Sequence, residues 1–347
     1  MLRLAQRPSQ SCRALLTCRY STEPPQKIPL ALVAELRKQS LVSISKAREA
    51  LTHSDGSITG ALEWLQHDLI ATGTAKAAKV SSRSTNEGVV GVSVLSHGAG
   101  LNTVGGVRAA MVELNCETDF VGRNDIFAKL AADIAHTAAF ISEVKQQGPV
   151  RFTPLVLDEL RDAPLLSHND PSAAPNGTVS SAIRDTIVKV GENISLRRAS
   201  AIIENAAPAP TGTSALRLGS YVHGSLHGIA CGRVAAVALI NLRSPHLQKF
   251  LRDEAARTQL GLLERSIARQ IVGFDTLGIK NMPENANDDQ VLYTQPFITL
   301  AGEFNGLPVE EALEKWSNAN GLAESTEEGG AVVLDFLKWS VGESEQQ

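Results

Sequence analysis

An acid and a bulky apolar ring, Asp119 and Phe120, stand side by side where a strand-like run gives way to a helix-like run. A connecting loop at such a point is normally polar, and the chain has only nine phenylalanines. The ring can fold back into the core, or the pair can present charge and apolar surface to another molecule. Composition favours the buried ring, because aromatic residues in loops are often buried. The residues alone leave both interpretations open.

Motifs for covalent or nucleotide chemistry are missing: the sequence has no Walker loop, no His-Glu-x-x-His and no Gly-x-Ser-x-Gly. Ser43 and Lys46 have Ser-x-x-Lys spacing without its companion motifs, so we interpret them as solvated. The glycine-rich run 98–106 closes a hairpin, whereas a dinucleotide cradle needs a helix N-terminus. The eight histidines never fall at ligand spacing with a cysteine or acid. We therefore predict that the protein is not an enzyme and holds no cofactor or metal ion.

An internal repeat at an offset of 126 residues organises the middle of the chain. Residues 92–115 and 218–241 align without gaps, and each predicts a β-hairpin of two strands joined by a glycine-bearing turn. Six of the 24 aligned residues are identical, which leaves chance similarity of two Gly/Ala-rich hairpins as the alternative. A helical pattern follows each copy, and this matching order favours duplication.

The repeat predicts an α+β fold with two related subdomains, each an antiparallel sheet with helices on one face. In the first, a helix over about 179–190, ended by Gly191, leads to a strand at 194–203. In the second, we predict that residues 291–300 take the place of that strand. Arg197 and Arg198 are interpreted as a solvated basic edge of the first sheet.

Apolar stripes at helical spacing predict a small three-helix bundle before the repeat. The first 22 residues carry four arginines, several serines and threonines, and no acid, which is typical of a mitochondrial presequence. The predicted organisation is a presequence at 1–22, a helical domain at 28–70, a linker at 71–88, a core subdomain at 89–205 with an insertion at 147–178, and a second core subdomain at 214–342.

Composition excludes several classes of protein. No run approaches the roughly 18 apolar residues that a membrane helix needs, so we predict no membrane partner. The four cysteines show no paired spacing, which supports neither a disulfide framework nor a zinc site. Loss of the four presequence arginines would take the net charge from −4 to −8. An acidic chain is a poor candidate for a protein that binds nucleic acid by neutralising its phosphates.

The segment 116–124, Cys-Glu-Thr-Asp-Phe-Val-Gly-Arg-Asn, resembles the Thr-Asp-Phe-Val loop of the elongation factor Ts family, guanine-nucleotide exchange factors for elongation factor Tu. Residues 32–65 resemble the three-helix, UBA-like domain that begins members of this family. Further signatures follow in the same order, so that the resemblance covers about residues 30 to 300: Thr-Ala-Lys-Ala-Ala-Lys at 74–79, Val-Gly-Glu-Asn-Ile-Ser-Leu-Arg-Arg at 190–198, Leu-Gly-Ser-Tyr-Val-His-Gly at 218–224 and Thr-Gln-Pro-Phe-Ile at 294–298.

This resemblance implies that the protein binds elongation factor Tu carrying GDP and speeds exchange for GTP during protein synthesis in the mitochondrial matrix. By analogy, Phe120 enters between partner helices near the nucleotide, and Asp119 helps to displace the Mg²⁺ that bridges the phosphates. Nucleotide and Mg²⁺ are then bound by the partner only, without direct contact to nucleic acid. The residues that the resemblance assigns are Thr118, Asp119, Phe120 and Val121 in the main loop, with Tyr221, His223 and Gly224 as a secondary contact.

A non-catalytic adapter is the alternative, in which the helical bundle binds another protein and the α+β core is structural. Ubiquitin-binding bundles usually carry a Met-Gly-Phe/Tyr loop, which residues 40–43 lack. A nucleic-acid-binding protein is disfavoured by the acidic charge and by the lack of a basic-aromatic cluster.

Overall fold

Two compact units divide the chain, residues 1–68 and 69–347. The presequence predicted at 1–22 lies outside the described residues, as do Cys12 and Cys18. Within the described ranges, no helix combines the length and apolar character that crossing a membrane requires. The computed structural model describes residues 28–40, 42–101, 106–143, 151–170, 172–205, 213–225, 228–280, 287–323 and 329–343.

The described part of the first unit is a helical bundle, as the apolar stripes predict. It contains α1 (Leu30–Ser40), α2 (Ile44–His53) and the beginning of α3 (Ile58–Val80). The Ser43 hydroxyl caps α2 by accepting a hydrogen bond from the Lys46 amide at 3.2 Å. The small core consists of residues from all three helices: Val33, Leu36, Ala47, Ala50, Leu51 and Ala61.

Helix α3 is longer than the sequence predicts, because residues 71–80 of the predicted linker are helical. Alanines at 71, 75, 77 and 78 favour this conformation, since alanine has the highest helix propensity. Val80 is buried, and Ala77 packs against the same apolar cluster of the second unit. Packing as well as propensity therefore extends the helix.

The second unit consists mainly of strands that alternate with helices. The strands are β1 (Glu87–His97), β2 (Val107–Cys116), β3 (Phe152–Pro154), β4 (Ile194–Glu204), β5 (Ser214–His223), β6 (Cys231–Gly232), β7 (Val234–Arg243) and β8 (Gly330–Ser340). The helices are α4 (Asp119–Gly122), α5 (Asp125–Ile141), α6 (Leu157–Asp162), α7 (Val179–Val190), α8 (Leu247–Arg252), α9 (Glu254–Gly273) and α10 (Val309–Ala319), with a 3₁₀ turn at Asp288–Gln290.

The described strands form two antiparallel sheets, ordered β3-β4-β2-β1-β6 and β5-β7-β8. Helices α5 and α7 cover one face of the first sheet, and α8, α9 and α10 cover one face of the second. The opposite faces of the two sheets pack on each other through residues such as Met111 and Leu239. This arrangement confirms the α+β class and the helices on one face of each sheet.

Both copies of the repeat fold as the predicted hairpins, since β1 pairs with β2 and β5 pairs with β7. The predicted helix before Gly191 is also confirmed, and this glycine ends α7 with a left-handed φ of 78°. The chain between β5 and β7 leaves its own sheet, and its Cys231 pairs with Gly91 at the edge of the first sheet. The second copy of the repeat therefore completes the sheet of the first.

The strand predicted at 291–300 is wrong, because β8 occupies the position next to β7. Residues 291–300 form turns and isolated bridges instead. Pro296 has no amide hydrogen to donate to a ladder. The buried Gln295 side chain donates to the carbonyl of Asp289 at 2.9 Å and to the Thr276 hydroxyl at 3.0 Å. These residues fix a loop against α9 and leave the sheet to residues 330–340.

The described part of the insertion at 147–178 is built into the first sheet. Strand β3 pairs with β4, and the predicted helical piece is α6, whose Leu160 is buried. The carboxylate of Asp133 on α5 accepts hydrogen bonds from the His168 amide at 2.8 Å and ring Nδ1 at 2.6 Å. The insertion is thereby fastened to the helical layer.

A fully buried carboxylate, Glu113 on β2, joins the two sheets. Its oxygens accept from Arg197 at 3.0 Å, Arg198 at 2.6 Å and the Gly342 amide at 2.9 Å. Arg198 also donates to the carbonyl of Ser340, at the end of β8, at 3.2 Å. The interpretation of these arginines as a solvated edge is therefore wrong, because the buried carboxylate and the returning end of β8 enclose them.

Replacement of Glu113 by alanine is expected to lower the free energy of unfolding by about 3 kcal/mol, because two half-buried guanidinium groups lose their fully buried partner. Urea denaturation followed by circular dichroism measures this change. The matched control is Glu159→Ala, which removes an exposed carboxylate from α6 and is expected to stay within about 0.5 kcal/mol. Equal midpoints for the two variants would contradict a structural role for Glu113.

Candidate partner-binding surface

The predicted loop at 118–121 forms one helical turn, α4, directly after the last residues of β2. The Thr118 hydroxyl caps this turn and accepts from the amide of Val121 at 3.5 Å. Phe120 is 83% exposed, while Val121 and Gly122 are buried. The interpretation of Phe120 as an ordinary core ring is therefore wrong, and the turn presents the ring to solvent.

Close packing on one side of α4 explains why the ring points away from the protein. Val121 belongs to the apolar cluster under the first sheet. A Cβ atom at Gly122 would lie 3.6 Å from Cys116 Sγ and 3.7 Å from the backbone of Gly88. Because successive residues of a helix point about 100° apart, burial of these two residues directs Phe120 outwards. The Val121 side chain thus anchors the turn on the apolar cluster.

Asp119 is a half-buried carboxylate in a weak ion pair. Its partner is Arg123, one turn later, at 3.2 Å, and the side chain of Arg123 is 71% exposed and that of Asp119 43% exposed. Asn124 caps α5 by accepting from the Ile126 amide at 2.9 Å, so this helix does not need Asp119 as its cap. Exposed pairs of this spacing contribute only about 0.3–0.5 kcal/mol. The carboxylate can therefore exchange Arg123 for another cation at little cost.

Two glutamates that the sequence analysis does not single out hold the base of the turn. Glu192, just after α7, accepts from the Thr118 amide at 3.0 Å and from the Thr118 hydroxyl at 2.7 Å. Glu117 accepts from the Asn193 amide at 2.6 Å. The quoted signature at 190–198 contains Glu192 and Asn193, but their role depends on the approach of two loops that are distant in sequence.

The second predicted segment ends strand β5. Tyr221 is half-buried, and the guanidinium carbon of Arg265 lies 5.5 Å from its ring centre. His223 is exposed, and the next residue, Gly224, turns the chain with a φ of 70°. This position at a hairpin end agrees with the sequence interpretation of the His-Gly pair. The geometry by itself assigns the imidazole no chemical task.

The fold brings both predicted segments to the same end of the core. The Arg233 amide donates to the carbonyl of His223 at 3.2 Å, and the Arg233 side chain forms an ion pair with Glu87. Glu87 pairs across the ladder with Cys116, two residues before Thr118. The crossing segment approaches His223 closely, since a Cβ atom at Gly232 would lie 2.3 Å from its carbonyl oxygen. One connected framework therefore supports both segments.

A buried thiol lies directly beneath the turn. Cys116 Sγ donates to the carbonyl of Thr118 at 3.1 Å. Burial, together with the nearby carboxylates of Glu192 and Glu87, raises the pKa of this thiol to about 12. Burial likewise raises the pKa of the Cys231 thiol to about 12. Since the thiolate is the reactive form, both cysteines are chemically inert in the folded protein.

We expect neither cysteine to react with Ellman's reagent at pH 8 until the protein unfolds. The measurement uses a Cys12→Ser, Cys18→Ser variant, so that the released colour reports only Cys116 and Cys231. Addition of guanidinium chloride is the positive control and should release two equivalents. Rapid release of the coloured product from the folded variant would show that at least one of these two thiols is accessible and would contradict their burial.

Among the described residues, no group of three or more His, Cys, Asp or Glu side chains could together hold a metal ion. The site instead combines one exposed ring, one exchangeable carboxylate and a rigid base. Such an arrangement suits contact with another macromolecule. Among classes of site, the arrangement therefore favours a protein-binding surface.

Comparisons with known proteins identify the family. The model of the family described as elongation factor TS matches residues 117–271, which contain the turn α4 and the hairpin of β5 and β7. A mitochondrial elongation factor Ts of Laccaria bicolor is 51% identical over 96% of this chain and 98% of its own length. One of Coprinopsis cinerea is 52% identical over 97% of each chain. The chain belongs to the elongation factor Ts family.

Proposed function

We propose that the protein is a guanine-nucleotide exchange factor for mitochondrial elongation factor Tu and performs no covalent chemistry. Family membership and the exposure of Phe120 support this proposal, and the ring is the observation that carries it. A large apolar side chain held 83% exposed is unfavourable in the free protein and gains free energy when a partner buries it. The two relatives compared above are both named mitochondrial, which supports the same organelle for this chain.

Exchange by such a protein requires differential binding. A factor can expel GDP only if it binds the nucleotide-free partner more tightly than the loaded partner. By linkage, GDP must weaken the binding of the factor by the same ratio. GTP then enters as the factor leaves, so the cycle needs no chemical step on the factor itself.

Phe120 and Asp119 have complementary tasks in this proposal. Burial of one phenylalanine side chain contributes about 1.5–3 kcal/mol, which corresponds to about 10- to 100-fold in an equilibrium constant. Release of a tightly held nucleotide requires a larger free energy than this. Asp119 supplies a negative charge that disturbs the Mg²⁺ site of the partner, where the phosphate charge then lacks compensation. The weak pair with Arg123 makes that charge available.

Additional surfaces provide the affinity that the turn alone cannot. The second segment, Tyr221, His223 and Gly224, lies at the same end of the core and is proposed as the secondary contact. The three-helix bundle is proposed to bind the partner's nucleotide-binding domain. In this way the anchoring contacts bring Phe120 to its site.

The replacement Phe120→Ala is expected to slow release of labelled GDP from mitochondrial elongation factor Tu by about 10- to 100-fold, because one ring is no longer buried. Stopped-flow fluorescence of a labelled GDP measures the rate at saturating factor. The matched control is Phe140→Ala, which removes a ring that is 61% exposed at the end of α5 and should leave the rate unchanged.

The outcomes separate the proposals. Release that the intact protein does not accelerate would refute the exchange function and favour the adapter alternative. Full activity of Phe120→Ala would refute the role of the ring while leaving the family assignment intact. Thermal unfolding of both variants should match the parent within about 0.5 kcal/mol, since both rings are exposed.

Import into the mitochondrial matrix is proposed to depend on residues 1–22. The full chain is expected to become protease-protected when incubated with energised mitochondria, and the chain that begins at residue 23 is expected to stay accessible, because its four leading arginines are gone. Dissipation of the membrane potential is the control. Protection of the shortened chain would place the targeting information elsewhere.

A further inference from the structure

Glu192 is the polar side chain most closely engaged with the base of the exposed turn. Both of its carboxylate oxygens bind the same residue, since Oε2 accepts from the Thr118 amide at 3.0 Å and Oε1 from the Thr118 hydroxyl at 2.7 Å. Hydrogen bonds to an ionised acceptor are stronger than neutral ones. Both the backbone and the side chain of Thr118 are therefore fixed from outside the turn.

The contact between the two loops is reciprocal. Glu117, the residue before Thr118, accepts from the Asn193 amide at 2.6 Å, and Asn193 follows Glu192. The Asn193 side chain donates to the carbonyl of Arg83 at 2.8 Å, and Arg83 lies 3.4 Å from Glu117. Each loop thus supplies an acidic side chain to the backbone of the other, and the segment after α3 closes the arrangement.

The turn needs such external support, because it is too short to be stable alone. A single helical turn fixes several backbone angles for very few internal hydrogen bonds. The internal cap from Thr118 to the Val121 amide is long, at 3.5 Å. An exposed aromatic ring would also gain from any rearrangement that buries it. The bonds from Glu192 oppose that rearrangement.

We propose that Glu192 is a positioning residue for nucleotide exchange, which holds Thr118 so that Phe120 already points outwards when the partner arrives. This inference rests on the proposed exchange function. A preorganised contact avoids the ordering cost that a loose loop would add during insertion of the ring. Loss of Glu192 should therefore slow the release step while the anchoring contacts still form the complex.

The kinetic test uses Glu192→Ala and Glu192→Gln with Glu159→Ala as the control, whose carboxylate is exposed on α6. GDP release from mitochondrial elongation factor Tu is measured at increasing factor concentration. For Glu192→Ala, the maximal rate is expected to fall about tenfold, because the hydrogen bonds from Thr118 to a charged acceptor are lost. The half-saturating concentration is expected to stay within about twofold. Glu192→Gln should be intermediate, since its amide retains one acceptor oxygen.

A second readout reports the turn without the partner. The probe is 4-fluorophenylalanine at position 120 in the full chain, observed by ¹⁹F NMR. One narrow resonance is expected for the parent and for Glu159→Ala, and a broadened or divided resonance for Glu192→Ala. A purely structural role for Glu192 elsewhere in the fold would lower the unfolding temperature without changing this resonance.

Each outcome decides the proposal. A lower maximal rate with an altered fluorine resonance supports it. An unchanged maximal rate, an unchanged resonance, or a change only in the half-saturating concentration overturns it. If Glu192→Ala does not fold, Glu192→Gln decides by the same criteria. Failure of the parent protein itself to accelerate release would instead refute the exchange function, and the fluorine measurement would still show whether Glu192 holds the turn.

Discussion

The outward position of Phe120 depends on hydrogen bonds between two loops that are 74 residues apart in sequence. A one-turn helix cannot hold an apolar ring in water by itself, because helix nucleation is unfavourable and burial of the ring is favourable. Burial of Val121 and Gly122 fixes one side of the turn, and Glu192 fixes its base. The fold makes this contact possible because the end of β2, on the first sheet, lies beside the end of α7.

The duplicated architecture extends this rigidity to a second contact segment. Strand β6 comes from the second copy but completes the first sheet, and the pairing of Arg233 with Glu87 continues the connection. Buried charge reinforces each half, through Glu113 with its two arginines and through Glu264, which accepts from Arg217 at 2.6 Å. Burial raises the pKa of Glu264, and Arg217 opposes that shift. The two candidate contact segments are therefore connected through the same packed core.

The sequence predicts those features that local patterns determine. Helical spacing identifies α1 to α3, the repeat identifies both hairpins, and Gly191 marks the end of α7. The sequence pattern predicts the wrong position for the third strand of the second sheet, because residues 291–300 are as apolar as a strand. Pro296 and the buried Gln295 are the residues that keep this segment out of the sheet. Arg197 and Arg198 were misinterpreted because their partner, Glu113, lies on a neighbouring strand. The exposure of Phe120 could not be decided from composition, since it depends on contacts between distant loops.

The central claim is that this ring leaves solvent only when it enters the partner. Replacement of Phe120 by the photoreactive p-benzoylphenylalanine tests it most directly, followed by irradiation with nucleotide-free elongation factor Tu and mass spectrometry of the products. We expect cross-links to the nucleotide-binding domain of the partner that disappear with excess GDP, and far fewer from the same probe at position 140. Cross-links confined to the protein's own chain, or equal yields at both positions, would contradict it.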